Sequence, residues 1–522
     1  MADELTKVVE DSVRGSFFLI SGTVIATIIL AIGSIIIARI LNPELYGQYS
    51  LALVVPQLLF LFADLGMNQG ITKFTAELQM RGETSRLAKI IQHGLLLRAL
   101  TGVVIFLINY VFADVFASII LQRPELAFFV RISSISVLFQ VIFTTATSAF
   151  VGVDKTEYNA LATNVQAISK TIIQVVLVLL GFAVAGAIAG HVISYLVAGV
   201  IGVLFLYLML RKEQNTSSGQ SFAESAKVLL RYGTPLYIST LLVGFVPFFQ
   251  SVVLALFTTD ADIGNYKAAI NFATLLTVFA VPITTAMLPA FSKLNSATEQ
   301  KIRAFFKLAN KYTAVIILPA TFLMIMFSNE IVRIIYGSDY QSASLFLTTY
   351  CLLYFLVGFG YLTLSSFYNG IGETKTTLKI SAITFIILVI LSPLLTNAYG
   401  VQGLIAAFLL ASATGQIYAS YYARKKFQIT FDNPTLIKIY AISALSTAIP
   451  LLISNFTNFP SFLVVALGGV SYLFSYVTLM PLTRVVTPSE LRQAMQIVQN
   501  IPIIASIARP VLKYQQKMLT RN

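Results

Sequence analysis

Four basic residues, Arg98, Arg131, Lys170 and Lys267, fall inside or at the border of long apolar runs, where a cation can hold an anion. A charge at the centre of a bilayer helix costs roughly 2.5–3.5 kcal/mol on insertion scales, so such residues default to a bundle interior, facing a partner or a wet cavity. Phe129, Val130 and Ile132 flank Arg131, and Ile168, Thr171 and Ile172 surround Lys170; neither has a carboxylate in its own run. The competing reading is that the side chains snorkel to a headgroup, which suits Arg98 and Lys267 best because each stands near a run's end. Asp64 is the acid most embedded in a run, and Glu330 borders another. Either is a candidate to carry a proton or Na⁺, as is His191 for a proton, against the plainer readings of a helix-ending turn and a hydrogen-bonded interior histidine. Gln57, Gln140, Asn164, Gln174, Gln250 and Asn271 stand at mid-run, placed to hydrogen-bond either a polar solute or a neighbouring helix.

The elements that must position these groups are membrane helices. With 57% hydrophobic residues, 11% charged and a mean hydropathy of +0.82, the chain carries more apolar surface than a water-soluble core can hide. A hydrocarbon layer of about 30 Å takes about 20 apolar residues per helix, and only helices satisfy the backbone there without a closed barrel. The expected fold is all-α and integral to the membrane, with fourteen spans at 16–38, 48–67, 94–113, 127–150, 160–181, 187–209, 234–257, 266–289, 312–333, 343–367, 380–397, 403–423, 439–456 and 462–480. The acidic and basic mixture of residues 1–14 reads as preceding a retained first span. With Met1 cytoplasmic, the exceptions to an inside location among the 35 Lys and Arg residues are Arg39, Arg98, Arg123, Arg131, Lys170, Lys267 and Arg333, which fits both termini lying in the cytoplasm. The net charge of +13 is thus topological, and nucleic acid is not an expected partner.

The single Cys351 and the two histidines leave no disulfide framework and no cysteine-based metal site. There is no Walker A segment, and Asp260-Ala261-Asp262 is a short connector without an acidic partner nearby. No cofactor, metal or catalytic activity is expected. Ser296 with Glu299, and Thr487-Pro488 with Glu490, read as starts of interfacial helices; Leu491, Met495, Val498 and Ile501 form an apolar stripe suited to the headgroup layer.

The chain also repeats itself at an offset near 217. Gly15-Ser16 and Ile20-Ser21 match Gly233-Thr234 and Ile238-Ser239, and Gly47-Gln48-Tyr49 matches Gly264-Asn265-Tyr266. The segment from Phe150 to Thr156 matches Tyr368 to Thr376 with a small insertion, and Val184, Gly186, Ile188 and Ala189 match Val401, Gly403, Ile405 and Ala406. Six spans per repeat give both halves the same orientation, related by an axis along the membrane normal with a cavity between them. The expected organisation is a bundle at 1–212, a linker at 213–232, a second bundle at 233–426, a helical pair at 427–482 and an amphipathic cytoplasmic tail at 483–522.

The same segments carry a family likeness. Ala38-Arg39-Ile40-Leu41-Asn42-Pro43-Glu44-Leu45-Tyr46-Gly47-Gln48-Tyr49, then Ala63-Asp64-Leu65-Gly66, Gly264-Asn265-Tyr266, Ile335-Tyr336-Gly337-Ser338-Asp339-Tyr340 and the Gly370 to Lys375 turn resemble the polysaccharide and lipid-linked oligosaccharide flippases of the multidrug/oligosaccharidyl-lipid/polysaccharide exporter superfamily. The resemblance implies a V-shaped pair of six-helix bundles that moves an isoprenoid-phosphate-linked sugar across the plasma membrane by alternating access. It implies that Arg98, Arg131, Lys170 and Lys267, with Arg14 at the inner mouth and Arg39 near the outer exit, contact the phosphate. Glu44 is close enough to Arg39 for a local ion pair instead. The six mid-run amides would then meet sugar hydroxyls, and Asp64, Glu330 or His191 the coupling ion, with membrane lipids as the other partner. A drug or metabolite antiporter of the same superfamily is the main rival; a membrane enzyme would need catalytic groups on larger outer loops.

Overall fold

The computed structural model describes residues 2–211, 221–277, 299–456, 459–499 and 502–521, with Thr284, Met287 and Phe291 between them. All regular structure among the described residues is helical. Eight of these helices are long and apolar enough to cross a membrane, nine if the bent pair Ala343–Phe359 and Thr363–Gly370 is one span. Their outer faces stay uncovered: only 22% of the apolar window of Thr84–Val111 and 11% of that of Thr374–Phe427 is buried. Leu100, Val104, Leu107, Ile390 and Leu394 point outward, which only a hydrocarbon solvent makes tolerable, so the chain is a multi-pass membrane protein.

Three of the eight are too long to be single spans. At 1.5 Å per residue, 55 residues from Thr156 to Leu210 would run about 80 Å, far beyond the bilayer. This helix breaks at Gly181, with φ +91°, and Ala183, with φ +43°, and its limbs fold back so that Gly190 abuts Gln174 and Gly186 abuts Leu177. Thr374–Phe427 breaks likewise at Gly400, bringing Gly403 against Leu395 and Gly415 against Thr384. Ser21–Asp64 breaks at Asn42, followed by Pro43, which has no N–H to continue the ladder.

The internal repeat is present in the backbone. Ala183 and Gly400, 217 apart, share the conformation φ +43°, ψ −127° and φ +57°, ψ −140°. This is glycine territory, and in the first copy an alanine bears its strain. In the Phe150 segment the Lys155 N–H donates to the Phe150 carbonyl at 2.9 Å, and its counterpart Glu373 donates to Tyr368 at 2.8 Å. Asp154 and Gly372 both turn that corner with positive φ. Gly47 and Gly264 pack reciprocally. A Cβ on Gly47 would lie 1.9 Å from the Asp260 carbonyl oxygen, and one on Gly264 would lie 1.8 Å from that of Pro43. Since 43 and 260 are also 217 apart, the two corners meet about a local two-fold axis.

The chain divides into two compact units, Met1–Asn271 with Leu388–Ala407, and Phe272–Ile387 with Phe408–Asn522. A core of the first gathers Ile71, Ile90, Ile91, Phe150, Leu206 and Leu229. Arg98, fully buried there, donates to the carbonyl of Ala63 and to Thr144 (2.9 Å) and Thr145 (3.3 Å), with Asp64 at 3.6 Å. A core of the second is aromatic, with Phe291, Phe305, Phe306, Phe367 and Phe431 in edge-to-face contact.

The second unit also fastens its tail. Thr487 and Glu490 form the reciprocal cap that their spacing predicts, Thr487 N–H to Glu490 at 2.8 Å and Glu490 N–H to Thr487 Oγ1 at 3.3 Å. The same carboxylate accepts from Lys311 at 2.7 and 2.9 Å, so the helix Pro488–Gln499 is held to protein by an ion pair as well as by the buried Leu491. Ser296, the other expected cap, lies outside the described residues, as do the side chains of Val498 and Ile501. Burial works to raise the Glu490 carboxyl, but the Lys311 ammonium and the Thr487 amide outweigh it and hold it below its ordinary 4.5. The stabilisation is therefore complete above about pH 4.5 and is lost as pH falls through the lower folded-state value. Lys311→Met is expected to cost about 3 kcal/mol, as breaking a buried pair does, and to flatten the acid limb of thermal stability against pH. Thermal unfolding at pH 7 and pH 3.5 checks both.

Candidate functional site

The helices of the first unit enclose a cavity of about 240 Å³. One wall is Leu30, Gly33, Ser34 and Ile37; another runs from Tyr46 and Tyr49 through Ser50 to Gln57; Lys170, Thr171 and Gln174 supply a third, and Pro247, Phe248, Ser251, Lys267 and Asn271 close it. The cavity sits on the local two-fold axis: Ser34 and Ser251 are 217 apart, and so are Ser50 and Lys267, and Val54 and Asn271. Both of the paired serines are engaged, by different donors. Asn271 donates to Ser34 Oγ and to Tyr46 Oη, both at 2.9 Å, while Lys267 Nζ donates to Ser251 Oγ at 2.8 Å.

What breaks the symmetry is charge. Lys267 stands where the first repeat has Ser50, and Lys170 where the second has Ile387. Among the described residues neither lysine has a carboxylate partner, and no Asp or Glu lines the cavity. Two ammonium groups in a low-dielectric wall without a counter-ion favour an anionic guest, because a bound anion offsets the cost of burying them. The remaining wall is neutral and hydrogen-bonding. Gln174 Nε2 donates to Tyr49 Oη at 2.8 Å and to the Ala187 carbonyl at 2.7 Å, and Thr171 to the Ile29 carbonyl at 3.3 Å. Gln57 Nε2 donates to Gln140 Oε1 at 3.1 Å. Arg123 braces one of the reciprocal corners, donating to Asp260 Oδ1 at 2.9 Å and to the Thr258 carbonyl at 2.8 Å.

Of the residues singled out from sequence, Lys170, Lys267, Gln57, Gln174 and Asn271 are brought together here, with Gln140 directly behind Gln57. The others are placed elsewhere. Arg131 pairs with Asp114, supplied by the turn of the preceding helix, and is partly exposed. Arg98 neither snorkels nor lines the cavity, because Ala63, Thr144, Thr145 and Asp64 occupy its guanidinium. Asp64 is correspondingly engaged, and it accepts from the Asn68 N–H at 3.4 Å. Arg39 is exposed and outside the lining. The side chain of Arg14 lies outside the described residues. Asn164 is spent on the carbonyls of Gly22 and Ala160, at 3.2 and 2.7 Å. Gln250 is buried next to Ser251 with its Nε2 unpartnered among the described residues, and Glu330 sits on Ser328–Ile335 in the second unit. Ser34, Tyr46, Tyr49 and Ser251 were not singled out; the signal for them was the repeat, which pairs the two serines. Arg131→Gln is expected to leave any transport activity near that of wild type, since its guanidinium is held by Asp114 outside the cavity lining and a partly exposed pair contributes only about 0–1 kcal/mol to stability. A transport assay on the single variant checks this.

Comparison with known proteins agrees with this architecture. The family described as "Polysaccharide biosynthesis protein" matches residues 12–295, and MatE matches 235–394. The probable low-salt glycan biosynthesis flippase Agl15 of Haloferax volcanii is 23% identical over 255 residues, 47% of this chain and 52% of its own length. The succinoglycan biosynthesis transport protein ExoT of Rhizobium meliloti is 24% identical over 311 residues, 59% of each chain. The match thus spans little more than half the length of these curated relatives. Among solved structures, the lipid II flippase MurJ in an inward closed conformation superposes with a TM-score of 0.72 at 18% identity, covering 88% of this chain and 98% of that one. An inward-facing multidrug resistance MATE family transporter of the MOP superfamily gives 0.64, also at 18% identity, covering 77% and 94%. With more than half its length matched by the family model and its fold shared with these solved structures, the chain belongs to the polysaccharide biosynthesis protein family.

Proposed function

We propose that this chain flips a lipid-linked oligosaccharide from the inner to the outer leaflet of the plasma membrane, for a cell-surface polysaccharide or glycoprotein, and that it is not an enzyme. The observation that carries the reading is the pair Lys170 and Lys267 in a carboxylate-free, hydrogen-bonding cavity. An isoprenoid-linked sugar has an anionic phosphate or diphosphate, a polar glycan and a hydrocarbon tail. The lysines take the phosphate, Gln57, Gln174 and Asn271 face sugar hydroxyls, and the tail stays in lipid. Agl15 and ExoT, named for glycan flipping and succinoglycan transport, support the substrate class.

In this reading fourteen spans form two six-helix bundles, at 1–212 and 233–426, joined by a linker and followed by a helical pair and the tail, with both termini cytoplasmic. The corner at Pro43–Gly47 and Asp260–Gly264 is the outer closure, and alternating access opens it while sealing the inner end. The MATE neighbours favour a second reading, an antiporter of drugs or metabolites. Organic cations, however, require acid in the cavity wall, and the lining residues supply only base. Reconstitution into liposomes with a fluorescent isoprenoid-diphosphate sugar, with and without a proton or Na⁺ gradient, tests the proposal by the loss of inner-leaflet probe. Export of an organic cation against a proton gradient, with no movement of the lipid-linked sugar, favours the antiporter.

A further inference from the structure

Behind the cavity wall lies a buried titratable group that phosphate binding leaves unused. His191, on Ala183–Leu210, is 5% exposed. Its Nε2 lies 3.3 Å from Nε2 of Gln57, which lines the cavity. Gln57 and Gln140 exchange hydrogen bonds in both directions, Gln57 Nε2 to Gln140 Oε1 at 3.1 Å and Gln140 Nε2 to Gln57 Oε1 at 3.3 Å. With its oxygen taken by Gln140, Gln57 turns an N–H toward the imidazole. His191 Nε2 therefore accepts, and the neutral ring carries its hydrogen on Nδ1. That Nδ1 is buried without a hydrogen-bond partner among the described residues.

Two groups touch the ring, Gln57 on Val54–Asp64 and Tyr195, one turn along its own helix with the ring edge-on at 5.1 Å; Gln140 on Ala127–Gly152 lies behind Gln57, and Lys170 on Thr156–Leu177 lines the cavity that Gln57 faces. Lys170 and Lys267 line the same cavity as Gln57, and no Asp or Glu is in that lining. With the cavity empty, a further cation at its wall is repelled by these ammonium groups; with an anion bound there, that repulsion is cancelled.

We infer that His191 is a proton-binding site coupled to anion occupancy of the cavity, so that the loaded cavity takes up a proton that the empty one does not. This rests on the reading of the cavity as an anion site and names the ion that accompanies the anion. Protonation puts a donor on Nε2, facing the donor on Gln57. If both glutamine amides turn over together, their mutual pair survives and Gln57 presents oxygen to the imidazolium, so the charge state of His191 sets the polarity of an amide on the cavity wall. By linkage, an anion that raises the proton affinity of His191 is itself bound more tightly as pH falls through the histidine's titration range.

The chain has only two histidines, so the test is direct. Protein labelled at histidine ring carbons, carrying His93→Asn to remove the other signal, is titrated by NMR in lipid nanodiscs with and without farnesyl diphosphate as the probe, whose binding is measured in parallel by calorimetry. Saturation with the probe is expected to raise the His191 midpoint by about one pH unit, a tenfold gain in proton affinity. Lys170→Met should raise the midpoint in the absence of probe, because the repelling charge is gone, and His191→Gln should abolish the tightening of probe binding at low pH. Probe that binds wild type while the His191 midpoint stays put overturns this inference alone. No binding to wild type overturns the anion-site reading and the inference together.

Discussion

Replacing Lys170 and Lys267 together with methionine is expected to weaken binding of an isoprenoid diphosphate at least about 100-fold and to stop flipping, with the amount of folded protein unchanged. A hydrogen bond to a charged group contributes about 1.5–3 kcal/mol, or roughly 10- to 100-fold per lysine, and the two face one guest across a small cavity. Stability should hold because, among the described residues, neither lysine is part of an ion pair, and the bond of Lys267 that is lost is the one to Ser251. Methionine keeps the length of the side chain and fills the same volume, so the loss reports on charge rather than on a void. Calorimetric titration of wild type, the two single variants and the double variant separates these contributions. A double variant that binds and flips as wild type does would remove both lysines from the site.

Gly264→Ala is expected to be strongly disruptive for the addition of a single methyl. The new Cβ would lie 1.8 Å from the Pro43 carbonyl oxygen, a backbone atom that cannot swing away, so the two corners must part by more than about 1 Å. Overpacking of this kind costs about 1–3 kcal/mol, and here it falls on the contact between the two copies of the corner. Gly47→Ala meets the Asp260 carbonyl in the same way from the other copy, so the two variants together should cost less than the sum of each alone, the corners having already separated. Gly469→Ala, whose Cβ meets nothing within 4 Å, is the control and should be neutral or slightly stabilising. Thermal unfolding in detergent measures all four. Equal melting temperatures for Gly264→Ala and Gly469→Ala would contradict the close packing of the corner.

Helical, membrane-embedded architecture was legible because it rests on composition and run length, which no tertiary contact overrides. The repeat was legible for a related reason. Gly47 and Gly264 recur because the backbones touch there, and Asp154 and Gly372 both turn with positive φ because the corner requires it. The individual site residues were harder to sort. Lys170 and Arg131 look alike in sequence, each a cation among apolar neighbours, but Asp114 reaches Arg131 from 17 residues away, and among the described residues no carboxylate reaches Lys170. Arg98 looks like a membrane-border cation and is a buried clamp, because its partners are two threonines and a carbonyl that carry no charge signal. Lys311 carries no signal in the sequence because its partner Glu490 lies 179 residues on, in a tail helix whose capping pattern is readable but whose docking site is not.

A structure of the protein bound to an isoprenoid-diphosphate sugar tests the account most directly. The prediction is phosphate density within about 3–4 Å of the ammonium groups of both Lys170 and Lys267, with the first sugar toward Gln57 and Asn271. A head group seated elsewhere, with the cavity between these lysines empty, would contradict it.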